Sequence, residues 1–412
     1  MAETEKNFPC LEPDYVAKFS CKPEICKGQC CTGFRVDVDK QMHLKYREIQ
    51  DRELRTKILD SCVWMPDLNL YGMKLENATC PMLCEDYSCL LQEKLGDDFL
   101  PDVCVDFPYR VCIVGKISVR TLSLTCPVAA ESVLFNPETM KFRSLMLRTK
   151  RTGSLSYYPL NGMTARNVLL FIQGICTEML QNRKFSLNMR LAITGVMMSM
   201  IDYRLNELSP EIVKEFGETF KTPEFFARMD KNFHNAEFHK KLYLQFMFSL
   251  TEELFNNAVS YYSTSQRNFI QYVGQAFGMV DTISKSPEEV EEIYEEIFSA
   301  YEKFVLEPYP TLLENYVVHN LFTGIYPCRI PGTLMQNWFF FVTLFKVFEF
   351  ALMCMAGVLK EKLTRQDIID LAGRFAHRIT HGHKFEIFTL EYLKKHWHYP
   401  TELFYTLIDL KR

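Results

Sequence analysis

Cys21, Cys26, Cys30 and Cys31 crowd into eleven residues in the pattern C-x4-C-x3-C-C. Thiolates spaced this closely can reach one metal ion or one small cluster. Gly28 and Gly33 flank the vicinal pair and let the backbone turn tightly around it. A second group follows: Cys80-Pro-Met-Leu-Cys84, Cys89, then Cys104-Val-Asp-Phe-Pro-Tyr-Arg110 and Cys126-Pro127. Spacing does not decide between zinc and an iron–sulfur centre, because both are served by thiolates. A zinc ribbon would show two C-x2-C knuckles, and neither is present. The cluster loop of radical methionine-adenosyl enzymes reads C-x3-C-x2-C. Cys26 and Cys30 begin that pattern, but Gly33 stands where its third ligand would be.

Twelve of the 15 cysteines precede residue 130, including Cys10, Cys62 and Cys112. Only Cys176, Cys328 and Cys354 follow, each in an apolar setting that suits an inert core thiol. The N-terminus is polar and lacks the apolar run of a signal peptide. These features point to a reducing cytoplasm, where clustered cysteine means metal or redox chemistry rather than disulfides. The odd count also fits poorly with a fully paired framework. A net charge of -4, with no basic cluster interleaved with aromatics, argues against a nucleic-acid partner. The run Trp338–Leu359 is long enough to cross a bilayer, but Lys346 and Glu349 lie within it. Three positions apart, they can pair on one face of a helix inside a protein, so no membrane span is expected.

Of the 412 residues, 48% are hydrophobic, which is ample for a large core. The shift in cysteine content places a boundary near residues 135–165, supported by the turn-rich stretches Arg151–Ser156 and Leu160–Met163. The expected organisation is an α+β cysteine-rich module over 1–140, followed by an all-helical domain over 141–412. In the first part, Phe34–Asp39 alternates like a short strand, and Lys40–Ile58 has the spacing of one charged surface helix. Val111–Val114 and Ile117–Arg120 read as a hairpin turning at Gly115-Lys116. Pro127 opens a helix through Leu134. From about Thr164 the pattern is helical. Ser209-Pro210 and Ser286-Pro287 mark helix starts, and Glu289 completes a capping box ahead of the apolar stripe Val290, Ile293 and Ile297. The Met197, Met198 and Met200 run reads as core packing.

Taken together, these motifs resemble the flagellin lysine-N-methylase family. The resemblance is carried by Pro13-Asp-Tyr-Val-x-x-Phe-Ser-Cys, the C-x4-C-x3-C-C loop with its Gly-Phe-x-Val-x-Val-Asp sequel, and Cys80-Pro-x-Leu. It continues through Cys89, Cys104-x-x-Phe-Pro-x-Arg and Ser123-Leu-x-Cys126-Pro. Phe185–Gly195 and Leu313–Phe322 extend it into the helical part. Phe34 and Phe107 stand where Trp and Tyr are expected, and both keep the ring. The cysteine half alone also resembles a wider group of small iron- or zinc-chelating proteins.

The resemblance implies methyl transfer from S-adenosylmethionine to flagellin lysines, with a [4Fe–4S] cluster. The matching cysteines are Cys21, Cys26, Cys30, Cys31, Cys80, Cys89, Cys104 and Cys126. That is twice what one all-thiolate [4Fe–4S] cluster needs. A lysine ammonium, with a pKa of about 10.4, must lose a proton before it attacks. Candidates for steering the amine are Asp106, Tyr109, Glu314 and Tyr316, with Arg110 and Asn315 for the cofactor and His319 nearby. Ordinary salt bridges or hydrogen bonds are the plainer reading of each. His377, His381 and His383 read as polar surface, and no G-x-G-x-x-G turn suggests a Rossmann cofactor site. A metal-stabilised binding module without catalysis and an iron–sulfur oxidoreductase are the other classes the cysteines allow.

Overall fold

The computed structural model describes residues 6–32, 35–114, 117–149, 156–157, 168–204, 207, 209–233, 238–258, 272, 275–276, 286–381, 383–396 and 400–410. The chain forms two compact units, one of residues 1–132 with 141–158, the other of 133–140 with 159–412. The expected break at 140/141 falls inside this exchange, because the strand that follows it returns to the first unit.

The first unit is β-rich. Strand β1 (Lys6–Pro13) leads into α1 (Asp14–Lys18), α2 (Pro23–Cys26) and a 3-10 turn (Gln29–Cys31). Next come β2 (Asp37–Val38), α3 (Lys40–Arg47), α4 (Arg52–Asp60), β3 (Cys62–Met65) and β4 (Leu70–Met73). The short helices α5 (Leu90–Leu95) and α6 (Asp102–Asp106) precede β5 (Tyr109–Val114) and β6 (Ile117–Leu122). Helix α7 (Pro127–Leu134), β7 (Phe142–Thr149) and β8 (Ser156–Tyr157) follow. Among the described residues the strands form a mixed sheet, β7-β1-β6-β5-β8, and an antiparallel sheet, β2-β4-β3.

The hairpin forms as expected, with Val114 opposite Ile117, while Gly115 and Lys116 lie outside the described residues. The expected strand at 34–39 shortens to β2, and Gly33 and Phe34 are also outside them. The single helix expected over Lys40–Ile58 is two. Asp51 breaks it by capping α4, accepting from Leu54 N–H at 3.0 Å, and Arg55 holds the Ile49 carbonyl at 2.7 Å across the break. Ile49 thereby turns into a core of Val38, Tyr46, Ile58, Met82 and Leu91.

In the five-stranded sheet, Glu12 of β1 is fully buried. Arg120 of β6 donates to one of its oxygens at 2.6 Å and Arg143 of β7 to the other at 2.7 Å. Both strands flanking β1 are thus tied to it by charge-assisted bonds.

The second unit is mainly helical: α8 (Leu169–Leu180), α9 (Leu187–Tyr203), α10 (Pro210–Phe220), α11 (Pro223–Phe233) and α12 (Lys240–Ala258). These are followed by α13 (Pro287–Tyr301), α14 (Leu312–Thr323), α15 (Leu334–Leu359), α16 (Arg365–His381), α17 (His383–His396) and α18 (Pro400–Leu407). The expected starts hold, with Ser209 capping α10 and a Ser286–Glu289 capping box on α13.

Helix α15 is long and apolar enough to cross a membrane, but 94% of its apolar window is buried inside the structure. It is the core helix of this unit. Asp202, at the end of α9, accepts from the Leu334 and Met335 N–H groups at 2.8 Å each, satisfying two donors at its N-terminus. Trp338 donates to Leu191 O and to Thr194 Oγ1 of α9 at 3.2 Å. A Cβ on Gly195 would lie 2.7 Å from the Trp338 ring, so only glycine admits this approach. Met197 and Met198 are buried, whereas Met200 is 38% exposed, so core packing describes only part of that run.

Lys346 and Glu349 pair as expected, at 2.7 Å, and Asn188 Oδ1 accepts a second bond from the ammonium at 2.7 Å. Removing one partner strands the other's charge in the core. Glu349→Ala is therefore expected to lower unfolding free energy by about 3–5 kcal/mol in a urea titration, and Lys346→Met/Glu349→Leu by clearly less than that single change.

Candidate functional site

The eight cysteines expected to bind metal are in no disulfide. They fall in the first unit, and local geometry explains how its segments reach one another. Pro23 starts α2, which ends at Cys26 after one turn. Lys27 and Gly28 then both adopt the left-handed conformation, at φ 51° and 63°. This reverses the chain into the 3-10 turn holding Cys30 and Cys31, closed by Cys31 N–H to Gly28 O at 2.8 Å. Gly28 is buried against Leu83, where a Cβ would meet a side-chain carbon at 2.5 Å. The opening loop therefore rests on the 80–89 segment.

That contact is fixed by backbone bonds. Cys80 N–H donates to Cys31 O at 2.7 Å, Leu83 bridges Cys89, and Leu90 N–H donates to Met82 O at 2.8 Å. Cys80 is buried in the unit's core, with Cys31 and Cys89 packed against it. Cys89 stands at the N-cap of α5, and Cys126 immediately precedes α7. Cys104 lies within α6, beside Val105, which packs on the same core.

The thiols sense one another. Cys30 is lowered to about 7, first because Cys31 donates a hydrogen bond to its thiolate. Cys31 is pushed up by that bond, by burial and by the charges of Cys30, Cys80 and Cys89. Burial pushes Cys104 up to about 12, helped by Cys80, Cys89 and Cys30. Burial likewise pushes Cys126 up to about 11, opposed by the Ala129 and Val128 N–H groups and helped by Cys26 and Cys21. Cys21, Cys80 and Cys89 are also raised, first by burial. Thiolates are the ligands of zinc and of iron–sulfur clusters, so the donor set fits a thiophilic metal or cluster in chemistry. Among the described residues, however, no group of three or more His, Cys, Asp or Glu side chains is already gathered tightly enough to hold a metal ion.

Asp106 ends α6, and Tyr109 and Arg110 open β5. Phe19, two residues before Cys21, meets the Tyr109 ring edge-on at 5.7 Å. The Arg120 guanidinium lies 5.4 Å from the centre of the Tyr109 ring. Ser123 N–H donates to Pro108 O at 2.7 Å, and Cys126 N–H to Ser123 O at 3.1 Å. Tyr109 therefore stands between the start of the cysteine loop and Cys126.

The remaining candidates belong to the second unit, on α14, and each is engaged there. Glu314 is buried and accepts from Arg183 Nη2 at 2.9 Å and Arg190 Nη1 at 2.7 Å. Asn315 Nδ2 caps the carbonyls of Leu134 and Asn136 at 3.2 and 2.7 Å. Tyr316 stacks on Phe348 at 3.9 Å. His319 Nε2 lies 3.2 Å from Thr323 Oγ1. Arg183 and Arg190 were not among the sequence candidates. For Arg190 the available signal was its place as the one charged residue in the Leu187–Ile201 stretch. His377 is half-buried on α16, while the side chains of His381 and His383 lie outside the described residues.

Two outcomes follow. Glu314→Gln is expected to lower unfolding free energy by roughly 3–5 kcal/mol in a denaturant titration, with activity per folded molecule unchanged; selective loss of activity would make Glu314 catalytic. In the metal-free chain near pH 8, peptide mass spectrometry after brief alkylation is expected to find Cys21 and Cys30, which are exposed, modified well before buried Cys176 and Cys354.

Residues 173–405 match the family model of the FliB lysine N-methylase C-terminal domain. The chain is 32% identical over 157 residues to a lysine-N-methylase of Salmonella typhimurium (strain LT2), covering 36% of this chain and 39% of that protein. It matches a lysine-N-methylase of Salmonella choleraesuis (strain SC-B67) to the same extent. It is 34% identical over 140 residues to the flagellar biosynthetic protein FliU of Salmonella muenchen, covering 33% of this chain and 82% of that protein. The match thus spans about two fifths of the length of the two lysine-N-methylases. No solved structure matches. With the family model covering more than half of its residues, this chain belongs to the flagellin lysine-N-methylase (FliB) family.

Proposed function

We propose that this chain is a protein-lysine N-methyltransferase that moves the methyl group of S-adenosylmethionine to lysine side chains of flagellin, and that thiols of its first unit hold a [4Fe–4S] cluster. The observation that carries the transferase reading is the match of residues 173–405 to a lysine N-methylase domain. The relatives named lysine-N-methylase and FliU point to the amine and to the flagellar substrate. The cluster reading rests on the eight thiols that resemble the family's set, and on the way backbone bonds draw Cys31, Cys80 and Cys89 together.

The chemistry is a displacement. The neutral lysine amine attacks the sulfonium methyl, a C–N bond forms, the C–S bond breaks, and S-adenosylhomocysteine leaves with the electron pair. The amine must first give up its proton, and positioning in line with the C–S bond supplies much of the acceleration. In this reading, Asp106 takes the amine proton and the Tyr109 hydroxyl orients the nitrogen. Arg110, next along β5, binds the carboxylate of the methyl donor. Glu314, Asn315 and Tyr316 act indirectly, by holding α14 in place. A bound cluster would cross-link the segments carrying the thiols and so contribute folding energy to the first unit.

The test incubates purified full-length protein with methyl-labelled S-adenosylmethionine and flagellin. Label on flagellin lysine is expected. Asp106→Asn is expected to lower kcat by about 10²-fold or more without changing the unfolding midpoint. Absence of label with the unaltered protein would overturn the proposal.

A further inference from the structure

The three-stranded sheet of the first unit ends on β3, and among the described residues no strand lies beyond it. Its hydrogen-bond phase fixes what that edge presents. Lys74 N–H donates to Ser61 O at 2.7 Å. Cys62 stands opposite Met73 and Val63 opposite Gly72, so Val63 and Met65 are the residues bonded to β4. Met73 N–H turns the other way, to Val36 O at 2.9 Å. The N–H and C=O groups of Cys62 and Trp64 therefore point outward from the edge. Val63 and Trp64 lie on opposite faces of β3, and both are exposed, as is Leu68 in the turn that follows. An open, apolar edge of this kind is a template for another strand.

Helix α3 lies along one side of this edge. Its Lys40 ammonium is 5.0 Å from the centre of the Trp64 ring and donates to Asn69 Oδ1 at 2.7 Å. Its His43 stacks on Tyr71 at 3.6 Å, and Trp64 meets Tyr71 edge-on at 5.0 Å. Lys40, Leu44 and Arg47 recur at i, i+4 and i+7, so they share one stripe of the helix, and all three are exposed. The helix holds no acidic residue. Asp39, just before it, is engaged by Met42 N–H at 2.7 Å, and neither Lys40 nor Arg47 is in an ion pair with a described residue.

We propose that the edge of β3, with Trp64 and the Lys40–Leu44–Arg47 stripe beside it, docks an extended, acidic segment of the protein substrate, which adds a strand to the β2-β4-β3 sheet. The identity of the partner rests on the transferase reading above; the surface goes beyond it. The outward N–H and C=O groups of Cys62 and Trp64 bond the incoming backbone. Alternate side chains of the added strand lie against Trp64 on one face and Val63 on the other, and its carboxylates meet Lys40 and Arg47.

The test measures binding of flagellin monomers to the full-length chain by biolayer interferometry, and methyl transfer to flagellin as KM and kcat. Trp64→Ala is expected to weaken binding about tenfold or more. Trp64→Pro is expected to weaken it further, because the outward N–H is lost while the bonds to β4 are kept. Lys40→Glu/Arg47→Glu is expected to raise Kd and to flatten its dependence on salt. In methyl transfer the loss lies in KM rather than in kcat. Tyr203→Ala, which removes an exposed ring of the second unit, is expected to change neither. Circular dichroism of each variant establishes that it is folded. No binding by the unaltered chain, or an unchanged Kd in both Trp64 variants, would overturn the docking surface. Binding without label on lysine would overturn the transferase reading and leave the surface standing; label whose KM ignores both Trp64 changes would do the reverse.

Discussion

A backbone hydrogen bond from Cys80 N–H to the Cys31 carbonyl at 2.7 Å, within the Thr32–Thr79 bridge, joins two stretches of chain almost fifty residues apart. The cysteine-bearing part of the first unit is arranged around this contact. It holds the loop of Cys21–Cys31 against the segment that carries Cys80 and Cys89, and Gly28 allows the close approach to Leu83. Such a contact is worth little alone, about 1 kcal/mol net. It matters because it brings thiols together that repel one another when ionised. Burial and the neighbouring thiols raise most of these groups, so the gathered cysteines stand protonated in the metal-free chain.

The second unit solves a different problem. Its core helix, α15, is apolar around almost its whole circumference and carries Lys346 within it. The charge is matched by Glu349 and Asn188, and the helix start by the carboxylate of Asp202. Glu314 plays the same part on α14, where Arg183 and Arg190 occupy its two oxygens. In each case a buried charge selects one arrangement of helices, since leaving it unmatched costs more than the pair gains. Glu314 and Asn315 each hold partners distant in sequence that help order this part of the chain.

Local features were legible in the sequence because their causes are local. The capping box at Ser286, the Ser209 cap, the pairing of β5 with β6 and the helix after Pro127 each depend on a few consecutive residues. So does the pairing of Lys346 with Glu349 along one helical face. The break at Asp51 is not legible in the sequence, because the apolar spacing runs through it. The capping carboxylate and the inward turn of Ile49 override that periodicity. The roles of Glu314 and Asn315 were also hidden, since their partners at Arg183, Arg190, Leu134 and Asn136 are distant in sequence.

By itself the sequence determined that the first part of the chain is rich in thiols, that the second is helical, and which family motifs both carry. Composition and short-range spacing are enough for that. Only the tertiary structure decided which thiols stand beside which. It set Cys31 beside Cys80 and Cys89, and Tyr109 between Phe19 and the strand leading to Cys126. The reason is that loop closure over tens of residues has no signature in local spacing. It is set by where turns, bridges and core packing bring the chain back on itself.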